Sequence, residues 1–310
     1  MEYTIYGLEF FNGVRFGRRN LDSTDISFHA DTLFAALFQE ALKLCEEKRF
    51  LEMIEQNKLI FSDGFPYTDR GKKFFLPKPL LQIQSRNDNS KGDSREKKKI
   101  KNMKYIPQDA LKEYQYGKLS EEQMKALDNL GKFGMKVSVG IRGNEEPEPY
   151  RVSSYYFSEG NGLYIILGYE KRENKELLEA LLESLSYTGI GGKKSSGFGK
   201  FSWREYKMPD ELKKHLQKKG KINILLSTAL PEEKDLELVL EDANYSLIKR
   251  GGFIDSEKYA EQQMRKAERY VFAPGSCFSK TFSGTVHVEK KRGTHPIFRY
   301  EKALFLGVDT

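Results

Sequence analysis

Two cysteines, one tryptophan and four histidines in 310 residues exclude a good deal. Two thiols, Cys45 and Cys277, cannot build a disulfide framework or a Cys-rich zinc site, and they suit a reducing cytoplasm. His29, His215, His287 and His295 form no HxxxH, HExxH or His/Cys pattern, so neither a dedicated metal site nor a cofactor is expected. No run approaches the roughly 18 apolar residues of a membrane span, and Met1-Glu-Tyr-Thr-Ile lacks the basic-then-apolar order of a leader. The expectation is a soluble cytoplasmic protein with no membrane partner. Disorder is excluded by 38% hydrophobic and 13% aromatic residues, and the length suits two domains of about 100–200 residues each.

Charge is present in excess of one sign: 52 basic against 45 acidic residues, net +7. That balance is compatible with a polyanionic partner, and its distribution is more telling than its size. Arg86, Lys91, Arg95, Lys97, Lys98, Lys99, Lys101 and Lys104 face only Asp88, Asp93 and Glu96 in one stretch. Asn, Gly and Ser fill the remainder, which reads as a mobile insertion, either solvated or in contact with nucleic acid.

The segment Tyr3–Phe11 has strand composition and a turn-rich basic stretch follows; Asp31 is expected to be an N-cap, and Leu33, Phe34, Leu37, Phe38, Ala41, Leu42 and Cys45 mark one apolar face of a helix. Ser120-x-x-Gln123 is a capping box. Met135, Val137, Val139 and Ile141 alternate with polar residues, predicting a half-buried strand. Strands at 151–157 and 163–169 flank Gly160-Asn-Gly162, and Leu177, Leu178, Leu181, Leu182 and Leu185 predict a second amphipathic helix. The second half alternates more loosely. Strands are expected at Ile222–Leu226, Leu236–Leu240, Phe282–Val288 and Ala303–Val308, with a helix from Ser256 to about Tyr270. The class this predicts is α+β, with antiparallel sheets in two tandem units, residues 1–205 and 206–310.

The sharpest feature is Gly189-Ile-Gly-Gly-Lys-Lys-Ser-Ser-Gly-Phe-Gly-Lys200. Glycines let backbone N–H groups approach phosphates, and Lys193, Lys194 and Lys200 add charge with no carboxylate among them. A Walker A loop is excluded, because Lys194 stands where Ser or Thr is required, and GxGxxG fails at the same residue. The loop also follows a helix and precedes a strand, the reverse of mononucleotide-binding order.

This loop, placed after the second helix of a ferredoxin-like unit, resembles the signature of the RAMP superfamily of CRISPR–Cas RNA-binding proteins. Val14-Arg-Phe-Gly17, Phe28-His-Ala-Asp31-Thr-Leu-Phe-Ala-Ala-Leu37 and Ile248-Lys-Arg-Gly-Gly-Phe253 resemble one branch, the fourth subunit of the type III-A (Csm) complex. The resemblance covers the whole chain. It implies tandem ferredoxin-like (RRM-like) domains, with a thumb-like insertion at about 83–133 that wedges against the guide–target RNA duplex. It further implies a non-catalytic subunit that holds the 5′ tag of the CRISPR RNA. Its protein partners would be the large polymerase-like subunit and the backbone filament of the third Csm subunit. By position, the RNA would be lined by Gly191, Gly192, Lys193, Lys194, Ser195, Ser196, Gly197, Phe198, Gly199 and Lys200. Arg15, Phe16, Gly17, Arg18 and Arg19, and Lys249, Arg250, Gly251 and Gly252, are further candidates. Single strands are held by cationic grooves with aromatic platforms, and Phe16, Phe198 and Phe253 lie inside these basic segments.

Two other readings compete. Related RAMP endoribonucleases place a catalytic histidine near the first helix, and His29 there could move a proton at a ribose 2′-hydroxyl without metal. Asp22 and Asp25 precede the same helix, but beside Ser23, Thr24 and Ser27 they fit turn chemistry and are assigned no catalysis. The last alternative is a scaffold whose basic surface confers solubility alone.

Overall fold

The structure is a computed structural model that describes residues 1–17, 20–81, 94–140, 148–256, 260, 264–289 and 293–309. The first unit opens with β1 (Glu2–Phe10), the short ribbon β2 (Phe16–Gly17) and β3 (Thr24–Asp25), and helices α1 (Ala30–Lys43) and α2 (Glu47–Glu55). Strands β4 (Leu59–Phe61), β5 (Phe65–Thr68) and β6 (Lys73–Pro77) precede α3 (Ser94–Asn102), β7 (Tyr105–Pro107), α4 (Leu111–Gln115) and α5 (Glu121–Lys125). The chain then runs through β8 (Gly131–Gly140), β9 (Glu148–Phe157), β10 (Gly162–Tyr169), α6 (Arg172–Thr188) and β11 (Phe201–Tyr206).

The main sheet runs β11-β1-β10-β5-β6-β7, with β4 also on β10, and its pairings are antiparallel. β1, α1, β4/β5, β10, α6 and β11 therefore follow the split β-α-β-β-α-β order, with the third strand between the first and second. β1 is an interior strand between β11 and β10, and Thr4 to Leu8 are buried without interruption, side chains of both faces included. Leu33, Phe34, Leu37 and Ala41 of α1 and the leucine stripe of α6 are buried on one face, as their helical spacing predicts. However, Leu42 is exposed, Cys45 is exposed beyond the end of α1, and the N-cap is His29, with Asp31 inside the first turn.

Much of the expected insertion is covered structure. Its segment 82–93 lies outside the described residues. Ser94–Asn102 is a helix, β7 pairs with β6, and Ile106, Ala110, Leu111 and Tyr114 are buried. The element that projects lies just beyond, in the β8–β9 hairpin, paired from Gly131↔Phe157 to Gly140↔Glu148. Phe133, Met135, Val137 and Val139 are 61%, 59%, 62% and 54% exposed there, correcting the expectation of a half-buried strand. Alternation shows that a ribbon has two different faces; whether something covers one is decided elsewhere in the fold. Ile141 lies outside the described residues.

The second unit contains α7 (Asp210–Gln217), β12 (Ile222–Leu225), α8 (Leu236–Leu240), β13 (Leu247–Arg250), β14 (Arg269–Phe272), β15 (Cys277–Phe278), β16 (Gly284–Glu289), β17 (Ile297–Lys302) and β18 (Phe305–Val308). Its sheet runs β15-β12-β18, and β13–β14 and β16–β17 are separate antiparallel ribbons. Leu236–Leu240 is helical where a strand was expected, a short apolar run whose periodicity does not distinguish the two. The expected helix toward Tyr270 is instead ribbon: Phe253 bridges Arg265, and Arg269–Phe272 pairs with Leu247–Arg250. Tyr270-Val-Phe suits a strand, and a partner 22 residues earlier supplies the pairing; residues 257–259 and 261–263 lie outside the described set.

The two units share core. Ile5, Tyr164 and Ile166 of the main sheet pack in one cluster with Ile224, Leu226, Leu306 and Val308. Tyr300 stacks on Phe61 at 4.4 Å, and its hydroxyl accepts from the Phe61 N–H at 3.0 Å. Among the described residues no helix is long and apolar enough to cross a membrane.

Candidate nucleic-acid interface

The glycine loop leaves α6 at Gly189 (φ 85°) and folds back on residues 12–16. Ile190 is fully buried and anchors it, donating to the Gly199 carbonyl at 3.0 Å, while Gly199 N–H donates to Gly13 at 3.1 Å. Gly192 N–H donates to the Arg15 carbonyl at 2.8 Å, and the Asn12 amide donates to the Gly197 carbonyl at 3.3 Å. Two of the predicted segments thus meet, although some 175 residues of chain separate them.

Gly199 has φ +73°, and a Cβ there would lie 2.1 Å from the Ile190 carbonyl oxygen; at Gly191, φ +97°, it would lie 2.6 Å from that of Arg15. These two glycines are required by close backbone approach. Lys193 is left-handed (φ 62°) and Lys194–Ser196 form a 3-10 turn, so the chain passes from left- to right-handed at Lys193–Lys194. That alternation makes a concave anion-binding nest. Among the described residues, the N–H groups of Lys193, Lys194 and Ser195 have no acceptor within the protein.

Arg15 runs beside the nest, with its Nη1 3.1 Å from where a Gly192 Cβ would stand. Its Nη2 donates to the Asn20 carbonyl, while its buried Nε–H has no partner among the described residues, and burial pulls the guanidinium below its ordinary value. Lys193 Nζ lies 5.4 Å from the Tyr150 ring centroid on the β8–β9 hairpin, and Lys194 Nζ reaches Asp255 at 3.2 Å. Ser195, Ser196 and Lys200 are exposed. Phe198 is half-buried against Tyr156.

Other predicted residues have different surroundings. Phe16 is 4% exposed and packs edge-on to Phe10 and Phe28, so it belongs to the core. Gly17 is exposed, whereas Arg18 and Arg19 lie outside the described residues. Arg250 is committed: Nε and Nη2 donate to Asp31 at 2.9 and 2.7 Å, and Nη2 also to Thr32. Burial pushes the Asp31 carboxyl up, but the guanidinium outweighs it and holds the pKa at about 2. This pair joins the second unit to the first turn of α1. Lys249 pairs with Glu268, a Cβ at Gly251 would stand 3.5 Å from the Glu268 side chain, and one at Gly252 (φ +120°) would meet nothing within 4 Å among the described residues.

His29 is the N-cap of α1, with Nδ1 2.5 Å from the buried Asp63. The other Asp63 oxygen accepts from Ala30 N–H and Thr228 N–H, both at 2.8 Å. Asp22 and Asp25 line a cavity of about 480 Å³ with Lys104, Phe133 and Ser153, and Lys104 stands 3.5 Å from Asp25. Sequence reasoning did not find Tyr150, Asp63 or Asp255. Tyr150 lies on a hairpin strand and Asp255 in an unpaired segment, each meeting the loop only through tertiary contact, and Ser62-Asp-Gly64 carries only a turn signal.

A family model for the CRISPR Csm4 C-terminal domain matches residues 218–308. A CRISPR system protein Csm4 of Streptococcus thermophilus is 34% identical over 317 residues, 100% of both chains. Its counterpart in Mycobacterium tuberculosis is 32% identical over 300 residues, 96% of this chain and 95% of that one. A chain in the crystal structure of a Csm3–Csm4 subcomplex of the type III-A CRISPR–Cas interference complex superposes with a TM-score of 0.66 at 16% identity, covering 99% of this chain and 100% of that one. A chain of a Csm1–Csm4 cassette in complex with pppApA gives 0.63, also at 16% identity, over 99% and 98%. At such identities the superpositions speak for the fold.

Proposed function

The chain belongs to the Csm4 family of type III-A effector subunits, and from that premise we propose that it holds the 5′ repeat-derived tag of a CRISPR RNA on its glycine loop. One observation carries the reading. Three successive backbone N–H groups, with no acceptor among the described residues, line a left-to-right-handed turn beside Arg15, whose buried Nε–H has no partner among those residues either. Such groups recognise a phosphate oxygen and take no account of the base. Lys193 and Lys194 add charge to the same rim.

Csm3 and Csm1 are partners of fold relatives. By extension this chain would join the large subunit to the backbone filament of the third. The wedge against the guide–target duplex is assigned to the β8–β9 hairpin, whose uncovered Phe133, Met135, Val137 and Val139 could press on a base pair without desolvating charge.

The test is RNA affinity across a salt series. Each neutralised phosphate of a single strand releases about 0.7 counterion, so Lys193→Ala with Lys194→Ala should flatten the log-affinity slope by roughly one to one and a half units. The loss should be similar for unrelated RNA sequences. Normal binding with an unaltered slope would reduce the loop to a structural turn.

A second reading rests on the His29–Asp63 contact, the geometry of an oriented general base. We assign no catalysis, because Asp63 also takes donors from Ala30 and Thr228 and so serves the joint between the units. The expectation is that repeat-containing RNA stays intact with or without divalent metal. Cleavage that disappears in His29→Ala would reverse the assignment and make the chain a metal-independent endoribonuclease.

A further inference from the structure

We propose that the outer face of the β13–β14 ribbon is a stacking platform for the bases of single-stranded RNA, continuing the path that begins at the glycine loop and resting on the reading of that loop as an RNA site. Register gives the ribbon two faces, and the outer one ends at Phe272, which is opposite Leu247, 2% exposed and packed in the core of the second unit. Ile248, Arg250, Arg269 and Val271 face inward, where Val271 is 3% exposed, Arg250 holds Asp31 and Arg269 donates to Glu301. Leu247 and Lys249 face outward, with Tyr270 directly opposite Lys249. Tyr270 is 59% exposed, and Phe253, just beyond the end of β13, is 51% exposed. Neither ring is filling a core.

The chemistry of this face selects the occupant. The Arg265 guanidinium lies over the Phe253 ring, 4.7 Å from its centroid, and Lys249 stands beside Tyr270. Rings interleaved with cations bind a chain of π-faces joined by phosphates. Phe253 lies four residues beyond Lys249, past the end of β13, where it bridges Arg265. Between the two rings come Gly251 and Gly252; among the described residues nothing lies within 4 Å of a Cβ position at Gly252, so a ligand backbone can approach closely. The ribbon is also continuous with the loop. Asp255, two residues after Phe253, holds Lys194 at 3.2 Å, and its carbonyl accepts from the Gln39 amide at 3.0 Å.

The experiment uses the full chain with its single tryptophan removed (Trp203→Phe) and a reporter placed as Tyr270→Trp or Phe253→Trp. Each is titrated with a uridine oligonucleotide and with an abasic oligonucleotide of equal length and charge. Stacking predicts quenching by the first and little by the second. Tyr270→Ala and Phe253→Ala should each weaken uridine binding about five- to a hundredfold while leaving the salt slope unchanged. If the reporters stay silent while the Lys193/Lys194 variant loses affinity, the platform is wrong and the loop reading stands. If neither set changes affinity, both fail. Ribbon variants that bind RNA normally but no longer assemble with the other Csm subunits would make this face a protein contact and overturn the proposal.

Discussion

Gly191-Gly-Lys-Lys and Lys249-Arg-Gly-Gly have nearly the same composition, and the fold uses them in opposite ways. In the first, the left-handed Lys193 turns backbone donors outward, and the nearest carboxylate, Asp255, belongs to an exposed pair with Lys194. In the second, Arg250 meets Asp31 with both side chains less than one fifth exposed, and the guanidinium is spent on joining two units. A cation in a glycine-rich segment is therefore left for a ligand only if the fold brings no buried carboxylate against that cation.

The comparison breaks most visibly at Arg250. Arg250→Ala leaves Asp31 largely buried without its partner, which should cost about 3 kcal/mol and lower the unfolding midpoint by roughly 6–12 °C. RNA affinity of the folded fraction should hardly move. The sign with pH follows from Asp31, whose carboxyl sits at about 2 against an ordinary 3.8. The ion pair stabilises fully above about pH 4 and is lost as pH falls toward 2, so the stability gap between wild type and variant should narrow over that window. Normal stability with lost RNA binding would move Arg250 into the RNA site.

Within the loop the effects are smaller and ordered by backbone geometry. Gly199→Ala and Gly191→Ala place a Cβ against carbonyl oxygens at positive φ, and should weaken RNA binding about tenfold or more by unfolding the nest. Gly192→Ala meets only the flexible Arg15 Nη1 at 3.1 Å, so its effect should be the mildest of the three. Affinity with thermal unfolding as control separates these cases; equal effects at all three would mean that bulk, and not φ, matters.

Smallest is Asp255→Asn. Releasing Lys194 from an exposed pair should raise RNA affinity about two- to threefold at low salt, and the gain should vanish at high salt. Weaker binding would mean that Asp255 positions Lys194 for the phosphate.

Local pattern alone carried the two amphipathic helices, because Leu33, Phe34, Leu37 and Ala41, and Leu177 through Leu185, recur at helical spacing and each stripe can be buried against a single sheet. It also carried the glycine loop, since glycines and lysines without carboxylates limit what a turn can do. Tertiary structure decided what depended on a distant partner. Leu236–Leu240 and Tyr270–Phe272 are short apolar runs whose conformation follows from what pairs with them. The alternation at Met135, Val137 and Val139 specified a two-faced ribbon but not whether one face would be covered. Arg250 and Lys193 differ in role because Asp31 lies across the joint from one and Tyr150 beside the other, and neither neighbour is encoded within reach of the segment it governs.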